Sequence, residues 1–254
     1  MALTPNRVAF FDVDNTLIRG STLFFLGKGM YKRGYFTKTD LSRFAFANLR
    51  FRLTGKEKQD EIKRFQDAAT EFIGGHDVLE IRNIAQQIYD EYVSPACWQG
   101  TINIAQKHLN AGEEVWLVTA APEDMAILIA KNLGFTGALG SKATIKDGKY
   151  TGTLEGNLLH GAEKAVAITQ LAKERNFDLS QCYSYSDSHN DLPLLRAVGK
   201  PNAINPDAIL QLRAMSEGWP IHEFRRGRKF SQIFGPLVSR LAAGLTWLRP
   251  RKSR

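Results

Sequence analysis

This sequence predicts an α/β fold, a parallel sheet with helices on both faces and an all-helical insertion after the first strand. Three observations lead there. Short apolar strands recur through the chain, and most are followed by a stretch of helical periodicity. Several strands stop abruptly at Asp or Thr, just before a loop or a helix. Between residues 21 and 98 there is helical periodicity and no strand pattern. A chain of 254 residues is long enough for a core domain carrying such an insertion.

The first strand is Val8-Ala9-Phe10-Phe11, bounded before it by Pro5-Asn6 and after it by Asp12-Val13-Asp14-Asn15-Thr16. Its length and its β-branched and aromatic content read as a buried strand. In an open α/β sheet, ligands sit beyond the carboxyl ends of the strands. Two carboxylates at that edge are costly to bury unpaired. A hard divalent cation, which takes oxygen ligands and keeps room for a phosphate, offsets that cost.

The insertion follows. Leu41, Phe44, Ala45 and Leu49 share one helical stripe, and Ile62, Phe65, Ala69 and Phe72 share another. A third holds Val78, Ile81, Ile84, Ala85, Ile88 and Tyr92. Gly74-Gly75-His76-Asp77 punctuates the last two, with Asp77 placed to cap the third helix. The expected organisation is a core of residues 1–20 and 95–221, a helical insertion over 21–94, and a C-terminal tail over 222–254.

Strand and helix alternation then resumes. A helix is expected over 99–110 and a strand over 114–119, followed by a second helix to about residue 133 with Pro122 near its start. Residues 138–144 and 150–154 read as a hairpin around Asp147-Gly148. A helix spans roughly 161–175, a strand 181–186, and a last strand 202–204. Parallel strands covered on both faces follow from this alternation.

Four pieces fall at strand ends or helix starts: Asp12-x-Asp14, Thr119, Lys164, and Ser186-Asp187-Ser188-His189-Asn190-Asp191. Thr119 alone is ordinary for a strand, and Lys164 alone is ordinary for a helix. In this order and these settings they resemble the four motifs of the haloacid dehalogenase superfamily, whose core is Rossmann-like. Asp12 to Thr16 matches its DxDxT motif, and Asp187, Asn190 and Asp191 match [GS]Dxx[ND]D. The early helical insertion and the Asn190-Asp191 pair are most similar to the phosphoserine-phosphatase-like branch. In that branch the insertion is a cap over the active site.

The resemblance implies a phosphomonoester hydrolase. Asp12 would be the nucleophile, forming an aspartyl-phosphate, and Asp14 the general acid and base. Thr119, the Ala120 backbone, Lys164 and Asn190 would hold the phosphoryl group. Mg2+ would be bound by Asp12, the Asp14 carbonyl and Asp187, with Asp191 supporting that shell. Phosphoryl transfer needs just these parts: an in-line nucleophile, positive charge on the equatorial oxygens and a proton for the leaving alkoxide. Two departures bear on the substrate. Ser21 stands where phosphoserine phosphatases carry a Glu that meets the amino group, and Thr119-Ala120-Ala121 replaces Ser-Gly-Gly. Arg50 and Arg52 are candidates for the cap arginine. A small phosphorylated metabolite or a phospholipid-derived head group is therefore expected in preference to phosphoserine. A phosphotransferase of the same fold, and a membrane-associated binding protein with little catalysis, are the competing classes. His189 occupies a variable slot and reads as a loop histidine.

The net charge of +8 is unevenly placed: residues 222–254 hold nine Arg or Lys against one Glu. Between two basic clusters, Leu237, Leu241, Leu245 and Leu248 share a helical face beside Trp247. That pattern suits an anionic membrane surface met by residues 231–254, and no nucleic-acid partner is expected. Cys97 and Cys182 suggest no disulfide framework. The start, Met-Ala-Leu-Thr-Pro-Asn, lacks the pattern of a secretory leader, so the expected location is cytoplasmic, peripheral on the inner face of the membrane.

Overall fold

A computed structural model describes residues 7–35, 37, 39, 42 and 73–225. The chain divides into two units, Met1–Phe224 and Arg225–Arg254, and every element below belongs to the first. The helical stripes expected at 41–49 and 62–72, together with Arg50, Arg52 and the tail segment 231–254, lie outside the described residues.

The sheet is built from β1 (Val8–Phe11), β2 (Glu114–Pro122), β3 (Gly137–Ser141), β6 (Tyr183–Ser186), β7 (Lys200–Ile204) and β8 (Ile221–His222). Their order is β3-β2-β1-β6-β7-β8, and every pairing is parallel. The chain builds outward from β1 on one side through β3, then crosses to β6 and builds outward on the other. The strand order therefore reverses between β1 and β6, where open α/β sheets leave a crevice at their carboxyl ends. β1 is fully buried along its length. Ala9 and Phe11 enter one hydrophobic cluster, while Val8 and Phe10 enter another on the opposite face. Alternate side chains of a strand point to opposite faces, so a run of four apolar residues marks a sheet covered on both sides.

Helices α1 (Thr22–Lys32) and α2 (Val78–Ile88) belong to the stretch expected to be helical. In α2, Val78, Ile81, Ile84, Ala85 and Ile88 are all buried, as their spacing predicts. Asp77 caps it, accepting from Leu79 N and Glu80 N at 2.9 and 3.1 Å. A π turn (Tyr89–Val93) and a short 3-10 turn (Ser94–Ala96) lead into α3 (Gln99–Asn110). Two further helices cover the sheet, α4 (Glu123–Leu133) and α5 (Ala162–Arg175), and then come α6 (Leu192–Arg196) and α7 (Ala208–Glu217). Arg82 of α2 donates to Asp124 of α4 at 2.7 and 3.0 Å, and Tyr150 Oη donates to the other Asp124 oxygen at 2.6 Å.

Three expectations need correction. The segment 138–144 is not one hairpin arm. Gly137–Ser141 joins the main sheet beside β2, and only β4 (Ala143–Lys146) pairs with β5 (Lys149–Leu154). The turn between these two is as the Asp-Gly pair predicts, with φ of 51° at Asp147 and 75° at Gly148. Residues 179–181 form a 3-10 turn, so the strand expected from 181 begins at Tyr183. The core runs past residue 221. His222 is in β8, and Phe224 N donates to the buried Asn205 Oδ1 at 2.7 Å. Two residues of strand carry too little pattern to stand out from a polar tail.

Candidate active site

β1 delivers Asp12 to the crevice, and β6 delivers Asp187 directly across it. Between them stands Thr16, fully buried, whose Oγ1 lies 3.0 Å from Asp12 Oδ2 and 3.3 Å from Asp187 Oδ1. One hydroxyl in reach of both carboxylates fixes their convergence. The loop that carries them is pinned from α3, where Thr101 Oγ1 donates to the Thr16 carbonyl at 2.8 Å and Trp98 N to the Leu17 carbonyl at 2.8 Å. Asn15 adopts a left-handed φ of 58°, which Asn tolerates better than most residues, and turns the chain directly after Asp14.

Lys164, in the first turn of α5, is only 3% exposed. Gly161, at φ 55°, starts that helix in a conformation that favours glycine. The Lys164 ammonium donates to Asp12 Oδ1 at 2.6 Å and to Asp191 Oδ2 at 2.7 Å. Asp191 is buried and also accepts from Ser186 Oγ at 2.7 Å. Burial alone would depress the lysine, but Asp12 and Asp191 more than offset it and hold its proton above the ordinary range. Asp12 goes the other way from a usual salt-bridged carboxylate. Burial, only partly countered by Lys164 and reinforced by Asp191 and Asp14, pushes it up to about 7. Asp187 is likewise raised well above the usual range, first by desolvation and then by repulsion from Asp12 and Asp191.

Asp14 points elsewhere. Its Oδ1 accepts from Thr22 N at 2.8 Å and from Thr22 Oγ1 at 2.6 Å, at the first residue of α1. Thr119 is 2% exposed, and its Oγ1 accepts from Ala121 N at 3.2 Å, which leaves the hydroxyl proton to donate into the site. Ser21, Ala120 and Asn190 join Asp12, Asp14, Thr119, Lys164, Asp187 and Asp191 around one cavity of about 530 Å3. The cap-arginine candidates Arg50 and Arg52 lie outside the described residues.

The metal shell expected from the sequence is Asp12, the Asp14 carbonyl and Asp187, with Asp191 in support. Among the described residues no three His, Cys, Asp or Glu side chains form a ready cluster. Asp14 is engaged by Thr22 and Asp191 by Lys164 and Ser186, so two carboxylates, Asp12 and Asp187, are left to face one point. Four aspartates against one lysine still leave a deficit of positive charge in a buried site, and the donors are all oxygen. That set suits Mg2+ and not zinc.

Sequence reasoning gave no role to Thr16 and Thr22, which orient Asp12, Asp187 and Asp14, or to Ser186. It also missed His160 and Asp207 on the cavity wall. Asp207 follows β7, so the signal used elsewhere, a carboxylate after an apolar strand, was available there as well.

Known proteins similar to this chain show its family. The family model for haloacid dehalogenase-like hydrolases matches residues 9–196. Phosphoserine phosphatase SerB1 of Mycobacterium tuberculosis is 45% identical over 235 residues, spanning 92% of this chain and 76% of that protein. A histidinol-phosphatase of Neisseria meningitidis is 29% identical over 223 residues, 86% of this chain and 99% of its own. The crystal structure of a protein of unknown function from Bordetella pertussis superposes with a TM-score of 0.78 at 25% identity, covering 87% of this chain and all of that one.

Proposed function

The chain belongs to the haloacid dehalogenase-like hydrolases, and from that premise we propose that it is a Mg2+-dependent phosphomonoester hydrolase acting through an aspartyl-phosphate on Asp12. The observation that carries this is Lys164 held between Asp12 and Asp191, with Asp187 facing Asp12 across the reversal in strand order.

Asp12 Oδ1 is held by Lys164 and Oδ2 by Thr16, so the carboxylate is fixed in orientation before substrate arrives. Its attack on phosphorus breaks the bond to the leaving alkoxide. Lys164, the Thr119 hydroxyl and the backbone N–H of Ala120 near the end of β2 meet the negative charge on the other phosphoryl oxygens. Asp14 gives its proton to the leaving oxygen and later takes one from the water that cleaves the aspartyl-phosphate. With Oδ1 occupied by two Thr22 donors, the transferable proton belongs on Asp14 Oδ2. Mg2+, when held by Asp12, Asp187 and the Asp14 carbonyl, supplies the charge that allows an anionic nucleophile to approach an anionic ester.

The same premise makes α1 and α2 parts of a cap inserted between core residues 1–20 and 95 onward. The two named relatives act, by their names, on phosphoserine and histidinol phosphate, so the family likeness alone does not select one ester. We read the substrate as a small phosphomonoester other than phosphoserine, because Ser21 lacks the carboxylate that would pair with a serine ammonium. The test is a panel of phosphomonoesters, including phosphoserine and lyso-phospholipids, with Mg2+ and with chelator, with added alcohols to detect phosphotransfer. Asp12→Asn keeps the shape and removes the attacking charge, so turnover should fall by orders of magnitude. Near-wild-type turnover by that variant would exclude the aspartyl-phosphate route.

A further inference from the structure

The segment after β7, Asn205-Pro206-Asp207, touches both of the loops that carry the proposed metal ligands. Asp207 holds the loop after β6 at two points. Its N–H donates to the Asp187 carbonyl at 2.8 Å, and its Oδ2 accepts from His189 N at 2.8 Å, so the peptide groups on either side of Ser188 are both fixed. The same oxygen lies 2.9 Å from the His189 ring Nδ1. The other oxygen, Oδ1, accepts from Leu210 N at 2.8 Å, which anchors Asp207 at the start of α7. Asn205 is buried and adopts a left-handed φ of 47°. Its N–H donates to the His222 carbonyl at 2.8 Å, and its Oδ1 accepts from Phe224 N at 2.7 Å. With Oδ1 committed to a backbone donor the orientation of the amide is settled, and Nδ2 donates to the Asn15 carbonyl, in the loop after β1, at 3.4 Å. Asn15 N in turn donates to the Gly20 carbonyl at 3.1 Å. The C=O and N–H of a trans peptide point in opposite directions, so that bond also sets the direction of the Asp14 carbonyl.

We propose that Asn205 and Asp207 are positioning residues, two arms of one segment that brace the Asp14 carbonyl and Asp187 at the spacing a divalent cation requires. The proposal rests on the Mg2+-dependent reading of the site and adds to it two residues outside the expected metal shell. Thr16 already links the side chains of Asp12 and Asp187. The Asp14 carbonyl is a main-chain ligand and is aimed only through its own peptide group. β7 lies beside β6 but one strand removed from β1, so Asn205 reaches past the intervening strand to hold Asn15. Pro206, with its φ confined near about −65°, stiffens the connection between the two arms. Mg2+ demands near-octahedral ligands at about 2.0–2.1 Å, whereas Ca2+ accepts a looser shell at about 2.3–2.6 Å. A brace of this kind therefore shows itself as selectivity between the two cations.

The test is thermal melting of the full chain, without substrate, at rising Mg2+ or Ca2+, which yields an apparent dissociation constant for each cation. Asn205→Asp keeps the acceptor for Phe224 N and loses the donor to Asn15. Asp207→Asn cannot accept from Leu210 N and His189 N with both arms of its amide. Each variant changes one charge, but that change acts on two divalent cations alike and cancels in the ratio of their affinities. Losing a residue that orients a ligand typically costs a metal site about tenfold or more, so the preference for Mg2+ over Ca2+ should fall by about tenfold in each variant. Should either variant fail to fold, Asn205→Gly, which tolerates the left-handed backbone, or Asp207→Ser, which can still cap α7, takes its place. A ratio unchanged in either variant overturns the proposal and leaves the hydrolase reading intact, whatever happens to the melting temperature without cation. A wild-type protein that does not respond to Mg2+ overturns the Mg2+-dependent reading, and the proposal with it.

Discussion

Replacing Lys164 by methionine removes the only cation in contact with Asp12 and Asp191 among the described residues while keeping much of the packing volume. The two acceptor oxygens lie 2.6 and 2.7 Å from the ammonium, so they are no farther apart than the sum of those contacts. At that separation and an effective dielectric of about 20, two negative charges repel by about 3 kcal/mol. Stranding buried carboxylates by removing their partner typically costs about 3–5 kcal/mol. Lys164→Met should therefore lower the unfolding free energy by about 3–5 kcal/mol near pH 8 in the presence of chelator. Adding Asp191→Asn removes one of the repelling charges, keeps an acceptor for Ser186 Oγ and should recover a large part of the loss. Urea denaturation of wild type, both single variants and the double variant completes the cycle. A loss below about 1 kcal/mol, or no recovery in the double variant, would refute the view that the lysine neutralises a strained cluster.

Three further outcomes are expected, two from the same geometry and the third from the sequence of the tail alone. Burial, only partly countered by Lys164, pushes Asp12 up to about 7 in the folded protein, above the ordinary carboxylate range of the unfolded chain, and raises Asp187 as well. The folded state thus holds protons that the unfolded chain releases. These groups favour folding at acid pH, and that contribution is lost as pH climbs toward about 7. Mg2+ should accordingly raise the melting temperature more near pH 8 than near pH 5, and equal shifts would contradict it. Thr22→Val loses the hydroxyl that holds Asp14, so kcat/KM should drop about tenfold on alkyl phosphates, which need a proton on the leaving oxygen, and less on p-nitrophenyl phosphate. Equal losses on both would assign Thr22 a merely structural role. Vesicles containing anionic lipid should sediment the full chain in a salt-sensitive way, and truncation after Arg225 should abolish it; equal sedimentation of the two would reject the tail as an anchor.

What could be read in the sequence was whatever has a period or a strong local preference. Val8 to Phe11, the α2 stripe and the Asp147-Gly148 turn all declare themselves within a few residues. Asp12, Thr119, Lys164 and Asp187 were legible because each ends a strand or opens a helix, and an α/β sheet gathers such positions at one edge. Their second contacts were not legible. That Thr16 bridges to Asp187 is a contact across 171 positions, and that Lys164 reaches both Asp12 and Asp191 depends on the order of strands. β3 was misread because Gly137, Gly140 and Ser141 dilute its apolar pattern. It joins the sheet partly because Gly140 allows the backbone of Glu123 to come within 2.5 Å of where a Cβ would stand. The role of Asp207 was hidden because its partner, His189, sits in a slot that no motif defines.

The contacts of Asp14 bear on how catalysis and the helical insertion are joined. Asp12 is fixed from the core, by Lys164 of α5 and by Thr16, itself adjoining Asp187. Asp14, two residues later, is fixed from the insertion, by the first residue of α1. The loop that leads from Asp14 to α1 is tied at two points: Gly20 N donates to Asn15 Oδ1 at 3.2 Å, and Asn15 N donates to the Gly20 carbonyl at 3.1 Å. Asp12, the proposed nucleophile, is therefore held from the core, whereas Asp14, the proposed acid and base, is held by α1. A rotation of α1 by a few degrees moves both donors to Asp14 Oδ1 together, and the proton-bearing oxygen moves with them. Because a proton transfer is sensitive to displacements of a few tenths of an ångström, the proposed mechanism expects the leaving oxygen to be protonated only when α1 is seated. Attack on phosphorus needs no such seating. Under the proposed mechanism the seating of α1 is therefore expected to bear on the chemistry through Asp14, beyond any screening of water.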